Sequence, residues 1–304
     1  MKLNLSGLVA AAHTPMHTDG TLNLRGIEAH AQLLVESNVA AVFVNGSTGE
    51  SVLLSAPERW QTAERWLELC REKLRVVVHV GANSLTEVKE LAAHAQRMDA
   101  DAVSAMGPSF FKPAGVADLV AYCAEVAAAA PELPFYYYHI PSLTGVGVSM
   151  IEFLQQASAR IPNLAGIKYT HYDLMEYYQC LHWEGGRYEV LWGRDEILLS
   201  ALALGAKGAI GSTYCYAAPV YHHVMEAFRT GRLEEARVAQ GKAIEFVSIL
   251  HRYRGLAASK VIMGFMGVDC GPVRLPLRNL TAAETASLRA ELARLDIFAR
   301  RVAH

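Results

Sequence analysis

Cysteine is scarce in this chain and has no pattern. The 304 residues hold five, Cys70, Cys123, Cys180, Cys215 and Cys270. The number is odd, the spacing is wide and no CxxC occurs. That excludes a disulfide framework and a cysteine-built zinc site, and a reduced, cytoplasmic protein is the simplest reading. Long hydrophobic runs are missing too, since none approaches the ~20 residues of a membrane helix. The segment Met1 to Met16 lacks the ordered basic, apolar and small-residue regions of a signal peptide, and His13 and Pro15 interrupt it. Charge of one sign is not concentrated. Lys and Arg number 28 against 30 Asp and Glu, for a net charge of −2, so a surface that tracks nucleic-acid phosphates is not expected. The 12 histidines are dispersed with no HExxH, and neither GxGxxG nor GxxxxGK[ST] occurs. No metal, nucleotide cofactor, nucleic acid or membrane partner is therefore expected.

What is present is a globular composition, 52% hydrophobic and 19% charged. Short runs rich in Val, Ile, Ala and Tyr recur at 8–13, 40–45, 75–80, 100–105, 133–140, 164–169, 188–192 and 206–210. Amphipathic segments with apolar residues three and four apart lie between them, as at 24–37, 57–73, 84–98 and 116–130. Strands apolar on both faces suit a parallel sheet covered by helices. Eight such units predict an α/β fold, a (βα)8 TIM barrel over residues 1–225. A doubly wound sheet is the alternative, weakened by the missing glycine fingerprint. Beyond Ser212 the strand signal stops. Helices predicted at 219–229, 233–254, 258–265 and 282–295 close the barrel and form a helical extension, 226–304, packed on it as part of the same domain.

In a barrel the reactive groups gather at the C-terminal ends of the strands. After the second strand lies Gly46-Ser47-Thr48-Gly49-Glu50, which suits either an anion-holding turn or a plain loop before a helix cap. On the fifth strand, Tyr136 and Tyr138 share one face while Phe135, Tyr137 and His139 share the other. On the sixth, Lys168 lies between Gly166-Ile167 and Tyr169. A lysine inside an apolar strand is costly unless paired or neutral. A neutral amine in a barrel mouth is a nucleophile toward carbonyls, whereas a lysine at the rim would only snorkel to water. Thr170 shares its face. Gly193-Arg194-Asp195-Glu196 follows the seventh strand and Gly211-Ser212-Thr213 the eighth; each is a helix-cap or ligand-contact candidate.

Taken together and in order, GSTGE (46–50), YYYHIPSLTG (136–145), GIKYT (166–170) and GAIGST (208–213) resemble the pyruvate-dependent class I aldolases of the N-acetylneuraminate lyase and dihydrodipicolinate synthase superfamily. The likeness runs from Gly7 to about Pro276. It is closer to the lyase branch. The synthases carry an arginine after the Pro-Ser that follows the tyrosine strand, where this chain has Leu143, and a tyrosine pair where it has Phe110-Phe111.

The resemblance implies cleavage of N-acetylneuraminate to N-acetylmannosamine and pyruvate, with no cofactor beyond a covalent Schiff base. It assigns that Schiff base to Lys168 and proton transfer at the C4 hydroxyl to Tyr138. Ser47 and Thr48 would hold the carboxylate, and Thr170, Gly193, Asp195, Glu196 and Ser212 the sugar. It also implies a homotetramer built as a dimer of dimers, for which Phe110, Phe111 and Tyr216 are candidate interface aromatics. Two alternatives stay open at this point. One is a sister aldolase or dehydratase for another 2-keto sugar acid, with Arg194 in the sugar loop as a source of altered preference, for instance toward a substrate with more negative charge. The other is a non-catalytic sugar-acid-binding barrel.

Overall fold

The structure, a computed structural model, describes residues 3–295. Eight parallel strands close a barrel in chain order: β1 (Gly7–Ala11), β2 (Ala41–Val44), β3 (Arg75–His79), β4 (Ala102–Ala105), β5 (Phe135–His139), β6 (Leu164–Tyr169), β7 (Glu189–Trp192) and β8 (Gly208–Gly211). The expected (βα)8 barrel is the observed fold. Helices α1 (Gly26–Glu36), α2 (Ala56–Cys70), α3 (Leu85–Arg97), α4 (Val116–Ala128), α5 (Pro141–Thr144), α6 (Met150–Ala157), α7 (Leu174–His182), α8 (Leu198–Ala203) and α9 (Tyr214–Arg229) follow the strands in turn. Then come α10 (Leu233–Arg252), α11 (Leu256–Phe265) and α12 (Ala282–Leu292). No helix among the described residues is long and apolar enough to cross a membrane.

Period 2 sorts the strand residues into two cores. Val9, Ala11, Ala41, Phe43, Val77, Ala102, Tyr136, Tyr138, Leu191 and Ile210 fill the barrel interior. Their neighbours, such as Val42, Val103, Tyr137, Tyr169 and Trp192, pack outward against the helices. Several helix starts read directly from sequence. The Thr281 side chain caps α12 in a reciprocal capping box with Glu284, Ser55 and Glu58 do the same for α2, and Asp173 caps α7.

β6 breaks the simple alternation. Phe135 pairs with Leu164, but the next residue, Tyr136, pairs with Gly166. Ala165 is the extra residue of a β-bulge. Leu164 packs outward and Ala165 inward, yet beyond the bulge Ile167 packs outward again. The slip turns Lys168 into the interior, directly paired with Tyr138 of β5. Glycine is required there, because a Cβ on Gly166 would lie 1.9 Å from the Glu189 carbonyl oxygen.

Two details differ from expectation. The helix after β8 starts at Tyr214 rather than Pro219, with non-helical backbone at Ala217. Pro219 therefore lies near the start of the stretch beyond that kink, where its missing N–H costs little. Tyr216 is not an exposed interface aromatic. It is 4% exposed, with its hydroxyl hydrogen-bonded to Ser259 Oγ and its ring against Phe246. Phe110 and Phe111 are exposed as expected. α9 runs past residue 225, and α10 packs along it; residues 296–304 of the expected extension lie outside those described.

Replacing Gly166 with alanine is expected to lower stability by about 1–3 kcal/mol or more, because the added methyl forces β6 away from β7. A urea melt checks this. An unchanged midpoint contradicts the assigned role of the bulge.

Candidate active site

A cavity of about 770 Å³ opens at the C-terminal end of the barrel. Ser47, Thr48, Tyr138, Lys168, Thr170, Gly193, Asp195, Glu196 and Ser212 all line it. The motifs that are far apart in sequence thus share one chamber. This is the C-terminal face on which barrel enzymes build their sites.

Lys168 is 4% exposed. Its Nζ lies 4.0 Å from the ring centroid of Phe43 and 4.0 Å from that of Tyr138. The ring faces attract a cation, and the Asp195 carboxylate favours the charged form as well. Burial outweighs both and brings the Lys168 pKa from the ordinary 10.5 to about 7. A substantial neutral fraction therefore exists at neutral pH.

Tyr138 is packed edge-on against Phe43 and against His79, whose ring centroid is 5.6 Å away. Its hydroxyl lies 3.3 Å from Ser47 Oγ. Burial pushes its pKa up to about 12, opposed by that hydrogen bond and by the Arg194 charge. The phenol is therefore protonated at rest. His79 is neutral, because burial lowers its pKa well below the usual value, and its Nδ1 bonds the Asn45 carbonyl. The ring supports Tyr138 by packing.

The loop Gly46–Glu50 is fixed at both ends. Asn45 Nδ2 donates to the Arg59 carbonyl at 2.9 Å, and Thr14 Oγ1 donates to the Gly49 carbonyl at 2.8 Å. Glu50 forms a buried ion pair of 2.5 Å with Lys260 of α11 and accepts the Arg274 backbone N–H. The extension thereby anchors the loop from outside the barrel. The loop's own hydrogen bonds run from Glu50 N–H to Ser47 and from Ser51 N–H to Gly46. They leave the N–H groups of Ser47 and Thr48 unused, beside two hydroxyls in the same cavity wall.

Asp195 is buried opposite. Its carboxylate accepts the Thr213 backbone N–H at 3.1 Å and the Thr213 hydroxyl at 2.6 Å. Burial raises its pKa to about 6, held from rising further by those two bonds. It is mostly ionised at pH 7. Gly211 makes room for it, since a Cβ there would fall 1.9 Å from Asp195 Oδ1. Thr170 Oγ1 donates to the His139 carbonyl, and Glu196 accepts the Tyr172 hydroxyl at 2.9 Å. Gln240 of α10 donates to the Asp195 and Glu196 carbonyls, bracing the loop.

Sequence reading missed Phe43 and Gln240, and Thr213, a helix-cap or ligand-contact candidate in sequence, holds the Asp195 carboxylate. Phe43 was legible as an inward position two after Ala41. Gln240 had no local signal, because it acts across more than forty residues of chain. The cysteines match their bland reading. All five are free and buried, and burial pushes the Cys123 and Cys215 thiols up, away from thiolate chemistry. His13, His30 and Cys215 are near enough to one another to hold a metal ion, but none of them lines the cavity.

A barrel of this kind places a buried amine of lowered pKa on β6 beside a tyrosine on β5, chemistry suited to a nucleophile toward carbonyls. The chain belongs to the dihydrodipicolinate synthetase family, which matches residues 4–295. It is 42% identical over 298 residues to N-acetylneuraminate lyase A of Xenopus laevis, covering 96% of this chain and 97% of that one. It is 43% identical over 300 residues to N-acetylneuraminate lyase of Rattus norvegicus, covering 97% and 94%. The solved N-acetylneuraminate lyase of Proteus mirabilis superposes with a TM-score of 0.94 at 42% identity, covering 96% of this chain and 99% of that one. A solved dihydrodipicolinate synthase of Bacillus anthracis, at 23% identity and a TM-score of 0.90, shares the fold.

Imine formation with pyruvate, read as borohydride-trapped mass against pH, is expected to rise through about pH 7 as Lys168 loses its proton. Asp195→Asn removes a charge that raises the Lys168 pKa, so the midpoint should move lower. A midpoint near that of a free lysine, about 10.4, contradicts the burial argument.

Proposed function

We propose that this chain is a Schiff-base aldolase that cleaves N-acetylneuraminate reversibly to N-acetylmannosamine and pyruvate. The observation that carries it is Lys168, buried, with its pKa brought down to about 7 so that a substantial part is neutral at pH 7, and paired in register with Tyr138. The extended likeness to N-acetylneuraminate lyases supports the choice of sugar acid.

The neutral amine of Lys168 attacks the C2 ketone of the open-chain sugar acid, and loss of water leaves a protonated imine. The substrate carboxylate rests on the N–H groups and hydroxyls of Ser47 and Thr48. The Tyr138 hydroxyl takes the C4 hydroxyl proton as it hands its own to that carboxylate. A resting pKa of about 12 favours such a relay over a free phenolate. The C3–C4 bonding electrons flow into the imine, which becomes an enamine, while C4 becomes the aldehyde of N-acetylmannosamine. Protonation at C3 restores the imine, and water releases pyruvate from Lys168. The cation is the electron sink, so the reaction asks for no cofactor. Thr170, Gly193, Asp195, Glu196 and Ser212 orient the sugar hydroxyls.

Free, buried cysteines support a reducing, cytoplasmic setting. The reading also carries the fourfold assembly that the family resemblance implies. Light scattering at micromolar concentration should then give about four times the 33.2 kDa chain mass, and a monomer would overturn that part.

Pyruvate release from N-acetylneuraminate tests the function. Lys168→Ala should abolish it. Tyr138→Phe should lower kcat by roughly 10²–10⁴-fold while borohydride still traps pyruvate on Lys168. Full activity in either variant sinks the mechanism.

A further inference from the structure

We propose that Arg194 builds a subsite for a neutral acyl group at the far end of the sugar acid, in place of the terminal hydroxyl. This deepens the lyase reading and rests on it.

Arg194 directly precedes Asp195 and Glu196 and lines the same cavity. Three contacts hold it. Its Nε–H donates to the Thr170 carbonyl at 2.7 Å, its guanidinium carbon lies 4.2 Å from the Tyr172 ring centroid, and its terminal nitrogen is 3.9 Å from Glu196 Oε1. A stacked, tethered guanidinium has already lost most of its freedom, so a ligand gains its hydrogen bonds at little ordering cost. The contact to Glu196 is longer than a hydrogen bond, and Glu196 instead accepts the Tyr172 hydroxyl. One Arg194 donor also engages the Tyr172 side chain, and the other terminal N–H groups have Glu196 only at ion-pair distance, beyond hydrogen-bond reach.

The neighbouring groups decide which acceptor fits. Polyol hydroxyls can donate to Asp195 and Glu196, but Arg194 has only donors and needs an acceptor. A second anion would meet the Arg194 cation together with the Glu196 and Asp195 carboxylates, and that repulsion disfavours it. A carbonyl accepts from the guanidinium without the penalty. Its methyl needs apolar wall, and Leu53, Leu143, Val247, Leu256 and Leu277 line the same cavity. At about 770 Å³ the chamber is large within the usual range for ligand sites. An acyl-bearing side chain therefore fits the donors, the charge and the space together.

The test compares kcat/KM for three substrates: N-acetylneuraminate, its analogue with the terminal hydroxyl replaced by an acetamido group, and its terminal phosphate ester. Pyruvate release is measured for the native enzyme, Arg194→Met and Arg194→Lys. The preference for acetamido over hydroxyl should fall about tenfold or more in Arg194→Met, the size expected for a hydrogen bond from a charged donor. It should be partly kept in Arg194→Lys. Equal ratios in the native enzyme and Arg194→Met overturn the proposal. So does a preference for the phosphate that Arg194→Met abolishes, which would assign the subsite to anions. If the native enzyme cleaves none of the three, the lyase reading itself fails, and this inference with it.

Discussion

The site depends on burying one amine. Lys168 is enclosed by the Phe43 and Tyr138 rings, next to the apolar side chains that fill the barrel interior. In water it would be protonated and inert toward a ketone. Taken out of water, it reaches a pKa of about 7 despite two aromatic faces and a nearby carboxylate that favour the cation. That balance suits a group that must be neutral to attack and charged once the imine has formed. The Asp195 carboxylate and the ring faces stabilise the later cation, while burial keeps the early amine free.

Much of the surrounding architecture serves that placement. The bulge at Ala165-Gly166 turns Lys168 inward, and the close approach of the Glu189 carbonyl demands the glycine. Gly211 leaves the space that Asp195 fills, and Thr213 supplies the two hydrogen bonds that keep it ionised. The extension contributes from behind. Lys260 of α11 grips Glu50 and so fixes the loop carrying Ser47 and Thr48, and Gln240 of α10 braces the loop carrying Asp195 and Glu196. Barrel and extension therefore both hold the loops that line the cavity.

Much of this was legible in the sequence. The βα alternation and the hydrophobic strands predict the barrel, because parallel strands buried on both faces leave that pattern. Lys168 stood out as a charge in an apolar strand, and Tyr138 through its place in the strand before it. The direction of Lys168 was not legible. Counting by twos from the outward-facing Leu164 sends it toward the helices, and only the pairing with β5 reveals the extra residue. Tyr216 misled for a related reason: its partners, Ser259 and Phe246, come from the extension, far along the chain. The plain-loop reading of Gly46–Glu50 holds, since Ser55 caps the helix just beyond it, and the loop also lines the cavity. Local sequence names the residue types, while their aim and their bracing are set by long-range packing.

The most direct measurement is borohydride reduction of the protein in the presence of N-acetylneuraminate, followed by peptide mass mapping. The account predicts a pyruvate-sized adduct on Lys168, which requires imine formation and carbon–carbon cleavage at the same residue. An adduct on another lysine, or none on Lys168, would contradict it.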